Sequence, residues 1–220
     1  NGHSEAVDIE FENKVSAKEI RKILSNAYGV KVIDNPEENK LYDMRRSYSE
    51  ACSMYWIWKN YEIKDYIGIN HYRRYFDFMD NVPDFDETFK KYDIIATTFP
   101  FNNSVCKIYR TCHNFNDLLL TWGIIHSKYP TLSDSFEKFL FGNKFYACNM
   151  FITSRKYFND LCTFNFSIME EFTKQFNLKT DEDCLNHANG NEYQQRVLGY
   201  LFERLTAFFI YANFTEDKIL

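Results

Sequence analysis

The sequence predicts an α/β domain with a mixed, mostly parallel sheet flanked by helices. Three observations predict it. Short apolar runs at 30–33, 65–70, 93–98 and 145–153 alternate with longer segments of helical periodicity. Hydrophobic residues fill 45% of 220 positions and aromatics 19%, enough for a large core and too much for a disordered chain. Only 7 Gly and 4 Pro occur, which excludes a collagen-like or linker-rich protein. That length suits one domain over 1–220.

The elements follow in order. Residues 7–11 alternate like a short strand. Ser16-Ala-Lys-Glu19 is a capping box for a helix through Ser25, with Ile20, Ile23 and Leu24 on one face. Gly29 ends it; 30–33 reads as a strand and 34–39 as a polar turn around Pro36. A helix dense in aromatics covers 48–60, and a strand over 65–70 runs into His71. Pro83 marks a loop over 80–86, 85–92 reads as a helix, and 93–98 as a buried strand. After a loop with Pro100, helices are expected over 109–120, 122–128 and 133–140. Residues 145–153 form a strand pair or one bulged strand; 155–176 and 194–211 are helical, with 181–189 a polar link. Ligands of open α/β sheets sit beyond the carboxyl ends of strands, which points to the residues after Ile69, Thr98 and Ile152.

A net charge of −5 leaves no basic excess for a nucleic-acid backbone. No apolar run is long enough to span a bilayer, and no charged-then-apolar leader is present. The expectation is a cytoplasmic protein; the aromatics at 208–211 read as part of a buried final helix, with peripheral contact at the inner membrane face as the alternative. The six cysteines show no Cys-x-x-Cys pair and read as reduced thiols. Asn102, Asn165 and Asn213 open Asn-x-Ser/Thr triplets, which arise by chance in an Asn-rich chain.

Five segments carry chemistry. His71-Tyr72-Arg73-Arg74 follows a strand; two guanidinium forks beside an imidazole form a diphosphate cradle, or else a surface ion-pair group. In the helix over 48–60, Glu50 and Lys59 flank aromatics that form a core face or a shelf for a base or sugar. His113 and Asp117, four apart, would share a helical face as a carboxylate-oriented base, or make a surface contact. Asn149 interrupts an apolar strand and either braces a loop or binds ligand hydroxyls. Arg196, Tyr200, Glu203 and Arg204 lie near one helical stripe, where Glu203 pairs with Arg or serves as a base. Asp84-Phe-Asp86 and Asp181-Glu-Asp183 are weak metal candidates; no Gly-rich phosphate loop or His-Glu-x-x-His occurs.

Together these segments resemble the capsular polysaccharide synthesis proteins grouped as DUF4422, which include galactofuranosyltransferase-like enzymes. The resemblance rests on Glu50 with Tyr55-Trp-Ile-Trp-Lys-Asn60, on Gly68-Ile-Asn-His-Tyr-Arg-Arg-Tyr-Phe76, and on Tyr109, His113 and Asp117-Leu118. Asn149-Met-Phe-Ile152 and Arg196-Val-Leu-Gly-Tyr-Leu-Phe-Glu-Arg-Leu205 complete it, so that it covers 30–211. One departure is the opening: the family begins with an apolar strand ending near His-Lys, whereas Val7-Asp-Ile-Glu-Phe11 stands here, making 1–29 atypical.

The resemblance implies a single compact GT-A-like domain that moves a sugar from a nucleotide-diphosphate donor to a glycan or lipid-linked glycan acceptor. His71, Tyr72, Arg73, Arg74, Glu50 and Lys59 are expected at the donor, and Glu203 or His113 as the base. Asn149, Asp117, Arg196 and Arg204 are expected around the acceptor pocket. The basic cluster stands where many such enzymes hold a metal with Asp-x-Asp, so no metal ligand is assigned and a manganese or magnesium requirement stays open. Single inverting displacement is expected. The alternative is a non-catalytic glycan-binding or scaffold module of a larger polysaccharide synthase.

Overall fold

A three-stranded antiparallel sheet lies under a layer of helices. It is seen in a computed structural model that describes residues 16–27, 39–71 and 74–220. The expected strands at 7–11 and 30–33 lie outside the described residues. Strand β1 (Tyr66–Ile69) and strand β2 (Ile94–Pro100) both pair antiparallel with the central, longest strand β3 (Lys144–Ser154). The mostly parallel sheet expected above is therefore not what these strands form. Alternation of strand and helix suggested parallel crossovers, but strand direction is set by which edges meet, and here β3 runs back between two earlier strands. One isolated bridge, Ile94 with Ile219, is parallel. The result is a helix-rich α/β domain, and a GT-A-like arrangement rests on the resemblance alone.

Strong local signals place the helices. Helix α1 (Ala17–Asn26) starts on the Ser16–Glu19 capping box, with Ser16 N donating to Glu19 Oε2 at 2.8 Å. A single turn, α2 (Arg45–Tyr48), is broken from α3 (Glu50–Asn60) at Ser49, whose φ is 53°. The continuous helix expected over 48–60 thus has a sharp corner at its start. Helices α4 (Phe85–Lys91), α5 (Val105–Cys112) and α6 (Phe115–Lys128) open on Asp84, Ser104 and Asn114, whose side chains accept first-turn N–H groups. Helix α7 (Ser133–Phe141) leads into β3, and α8 (Arg155–Gln175) leaves it capped by Ser154. The polar link forms a short helix, α9 (Asp181–His187), on a Thr180–Asp183 box. Helix α10 (Val197–Asn213) closes the fold.

Helix α10 is apolar nearly all round and sits in the centre, against β3, α2, α7 and α8. Phe208 and Phe209 are buried and Tyr211 is half-buried, so these aromatics serve mainly the core. Among the described residues no helix is long and apolar enough to cross a membrane. Asn165 is buried and donates to Thr206 Oγ1 at 2.9 Å; its place in a glycosylation triplet is incidental. All six cysteines are free.

Both Asp-x-Asp triplets make local braces. Asp84 caps α4 and Asp86 bonds Tyr66. Asp181 accepts from Arg46 N, Ser47 N and Ser47 Oγ, and Asp183 from Lys179 N and Thr180 N.

Candidate active site

The site is built on a bulge in β3. Ala96 faces Phe151 and Thr98 faces Tyr146, so five residue steps of β3 lie opposite two of β2. The excess is taken up at Cys148 and Asn149, both left-handed, with φ of 65° and 51°. Asn adopts that conformation more readily than most residues. The interruption of the apolar run at Asn149 is thus a backbone feature, and it turns two polar groups toward the helices above.

Two carboxylates receive those groups. Asn149 Nδ2 donates to Glu50 Oε1 at 2.7 Å, and Cys148 N donates to Glu203 Oε1 at 2.7 Å. Glu50 opens α3 immediately after the Ser49 corner, while Glu203 comes from the middle of α10. Gly199 lets these two elements approach: a Cβ there would stand 3.0 Å from Ser49 Oγ and 3.3 Å from Ser47 O. Burial pushes the Glu50 carboxyl above its ordinary range, and the Glu203 charge adds to the rise, while Asn149 and Arg196 oppose it.

Three guanidinium groups surround the acids. Arg204 Nη1 donates to Glu203 Oε2 at 2.7 Å, and the Arg204 head lies 5.3 Å from the Tyr109 and Phe145 rings. Arg196 Nε donates to Ser49 Oγ at 3.1 Å and holds the corner before Glu50. Arg74, at the carboxyl end of β1, reaches Cys148 Sγ with Nη1 at 3.2 Å. His71 is buried beside it, in a backbone bridge closed by Arg74 N donating to His71 O at 3.2 Å. Tyr72 and Arg73 lie outside the described residues. Asn149 Oδ1 and Arg204 Nε are buried with no hydrogen-bond partner among the described residues. Such atoms are costly to bury and occur where water or ligand completes the shell.

Glu50, His71, Arg74, Asn149, Arg196, Glu203 and Arg204 therefore gather around one bulge. Lys59 does not join them. Nine residues beyond Glu50 on the same helix, it lies about 13 Å along the axis, with Nζ 3.3 Å over the Trp58 ring. Trp58 in turn stacks on Phe166 at 5.6 Å, the core role expected of these aromatics.

The expected pairing of His113 with Asp117 does not form. Asn114 starts a new helix between them, so His113 closes α5 while Asp117 sits in the first turn of α6. Asp117 instead bonds His187 Nε2 at 2.9 Å. His113 stacks on Tyr200 at 3.9 Å, and burial together with the Arg204 and Arg196 charges lowers its pKa to about 4. With no carboxylate to raise its basicity, His113 is a weak base.

Sequence reasoning missed Ser49, Cys148, His187 and Gly199. The isolated glycine in an apolar helix was the one local signal, since such a glycine usually answers to packing.

The arrangement can be set beside known proteins. Residues 25–214 match a family described as a domain of unknown function, DUF4422. The apo structure of the WbbM bifunctional glycosyltransferase has a similar fold, with a TM-score of 0.63 at 22% identity. The likeness covers 76% of this chain and 34% of that one, so the chain spans about a third of that protein's length. Aspartate-semialdehyde dehydrogenase of Aquifex aeolicus (strain VF5) is 51% identical over 39 residues, 18% of this chain and 12% of that protein. A stretch that short is less than a domain and says nothing of fold. The family match takes in most of the chain and contains every residue of the bulge cluster: the chain belongs to the DUF4422 family.

Proposed function

We propose that the chain is a glycosyltransferase, moving a hexosyl group from a nucleotide-diphosphate sugar to a hydroxyl of a surface-polysaccharide glycan. Galactofuranose is the sugar the family resemblance favours. The observation that carries this reading is the convergence of Glu50, Glu203 and Arg74 on the Cys148–Asn149 bulge, with Arg196 holding Ser49 just before Glu50. Anion-binding forks beside a carboxylate of raised pKa are what glycosyl transfer needs.

The roles divide by geometry. Both Glu203 oxygens are engaged, by Cys148 N and Arg204, so Glu203 fixes the bulge. Glu50, whose carboxyl is raised by burial, is the general base and replaces Glu203 and His113 in that role. It takes the proton of the acceptor hydroxyl as that oxygen attacks the anomeric carbon. The bond from that carbon to the diphosphate oxygen breaks, and the leaving group keeps the electron pair. Arg74 stabilises the charge on the leaving diphosphate, with Arg73 and His71 beside it in the motif. One direct displacement inverts the anomeric centre. The positive side chains supply the charge a metal would otherwise bring.

Thermal-shift measurements with uridine, guanosine and cytidine diphosphates and their sugars, with and without manganese, test this. A metal-independent rise in melting temperature with one nucleotide, lost in Arg74→Ala, is expected. Arg74→Ala should slow transfer more than about tenfold, the equivalent of roughly 1.4 kcal/mol. No shift with any nucleotide overturns the proposal and leaves a non-catalytic module.

A further inference from the structure

A pocket of about 550 Å³ lies where the α5–α6 junction meets the end of α9. Thr111, His113, Asn114, Asn116, His187 and Gln194 line it. Two bonds clamp its walls: Gln194 Nε2 donates to Cys112 O at 2.8 Å, and His187 Nε2 meets Asp117 Oδ1 at 2.9 Å. Asp117 is only 3% exposed, so it holds the imidazole from behind while the pocket meets the ring. A carboxylate behind a histidine sets its tautomer and orientation. His113 Nδ1 is buried in the same wall without a hydrogen-bond partner among the described residues. His113 stacks on Tyr200, whose carbonyl accepts from Arg204 Nη1 at 3.2 Å, the same nitrogen that binds Glu203.

The lining chemistry selects the ligand. It consists of amides, a hydroxyl, two imidazoles, the Cys112 thiol and the Ala188 methyl, with no Lys, Arg, Asp or Glu at the pocket wall. No charged side chain stands at the wall itself, although Arg204 and Arg196 act on His113 from behind it, and an apolar ligand would strip water from the amides for nothing in return. Alternating donors and acceptors suit a neutral polyol. The histidines are not a metal centre: among the described residues no three His, Cys, Asp or Glu side chains group closely enough to hold an ion.

We propose that this pocket binds one neutral, hydroxyl-rich glycosyl unit of the acceptor glycan, beside the bulge site and separate from the donor. The proposal takes the acceptor's chemical class from the function proposed above. Its test is independent of turnover. Imidazole ¹⁵N resonances are followed while neutral methyl glycosides (galactoside, glucoside, mannoside, N-acetylglucosaminide) are titrated, with glucuronate as the anionic control. At least one neutral glycoside should move the His113 and His187 signals saturably and leave His126 unmoved. Thr111→Trp and Asn116→Trp, both at exposed positions on the rim, should abolish the effect while keeping the nucleotide thermal shift. Absence of any neutral-glycoside response, persistence in both variants, or an equal response to glucuronate overturns the pocket assignment. A glycoside response without any nucleotide shift overturns the transferase reading and leaves the pocket standing.

Discussion

Two helical glycines should answer the same substitution with opposite signs. In Gly199→Ala the new Cβ stands 3.0 Å from Ser49 Oγ, 3.2 Å from Ser49 Cβ and 3.3 Å from Ser47 O. The backbone carbonyl cannot give way alone. Ser49 is held as well, since its Oγ accepts from Arg196 Nε and its φ is 53°. Overpacking of this kind costs about 1–3 kcal/mol, against about 1 kcal/mol gained when Ala replaces Gly in a helix. The net is a loss of about 1 kcal/mol, or a Tm lower by about 2–4 °C for a chain of this length. Gly123 lies exposed in α6, where an added Cβ meets nothing within 4 Å. Gly123→Ala keeps the helical gain without the clash and should raise Tm by about 2–4 °C. Scanning calorimetry of both variants beside the wild type measures the contrast. A Gly199→Ala protein that melts at or above the wild type refutes close approach as the reason for that glycine, and with it the packing that brings Glu50 to Glu203.

The two acids separate in the same way. Glu203→Gln leaves Arg204, only 8% exposed, without its anion, and should cost about 2–3 kcal/mol in urea unfolding. Glu50→Gln should fold normally yet slow transfer at least about a hundredfold, the scale of a lost general base; equal losses of stability in the two variants contradict the division. His187→Ala strands the buried Asp117 carboxylate and should destabilise by about 3 kcal/mol, measured by the same unfolding; an unchanged midpoint removes the clamp. His113 has a folded pKa of about 4, below its ordinary 6.5, so the unfolded chain takes up the proton first as pH falls. Its contribution to stability is present above about pH 6.5 and lost toward about pH 4. His113→Phe should therefore flatten the acid side of a Tm–pH profile, and an unaltered profile counts against the burial inferred for this ring.

How much of this was legible depends on the range of the interaction. Helix starts are local, and the Ser16–Glu19 box acts as read, while Asp84, Ser104, Ser154 and Thr180 cap helices by the same chemistry in the structure. Asn114 carried the same signal. Given its weight as a cap, it separates His113 from Asp117 and removes the four-residue argument for their pairing. Strand direction was not legible, because an apolar run of given length looks the same whichever way its neighbour runs. Grouping Lys59 with Glu50 failed because proximity in a motif was taken for proximity in space, and a helix separates its two ends.

The bulge shows why the core of the site could be listed from sequence but not assembled. Asn149 stands out because it breaks an apolar strand, and Glu203 because it sits in an apolar helix. Each observation left two outcomes open, a structural brace or a functional group. The contacts that decide between them join residues far apart in the chain, 99 positions from Glu50 to Asn149 and 55 from Cys148 to Glu203. No periodicity within either segment carries that information. Once the contacts are made, the acids are no longer equivalent. The one bound by a backbone N–H and an arginine fork is fixed in place. The other, bonded by the Asn149 amide and raised by burial, is the one proposed above to accept a proton. A difference of this kind arises from environment rather than residue type.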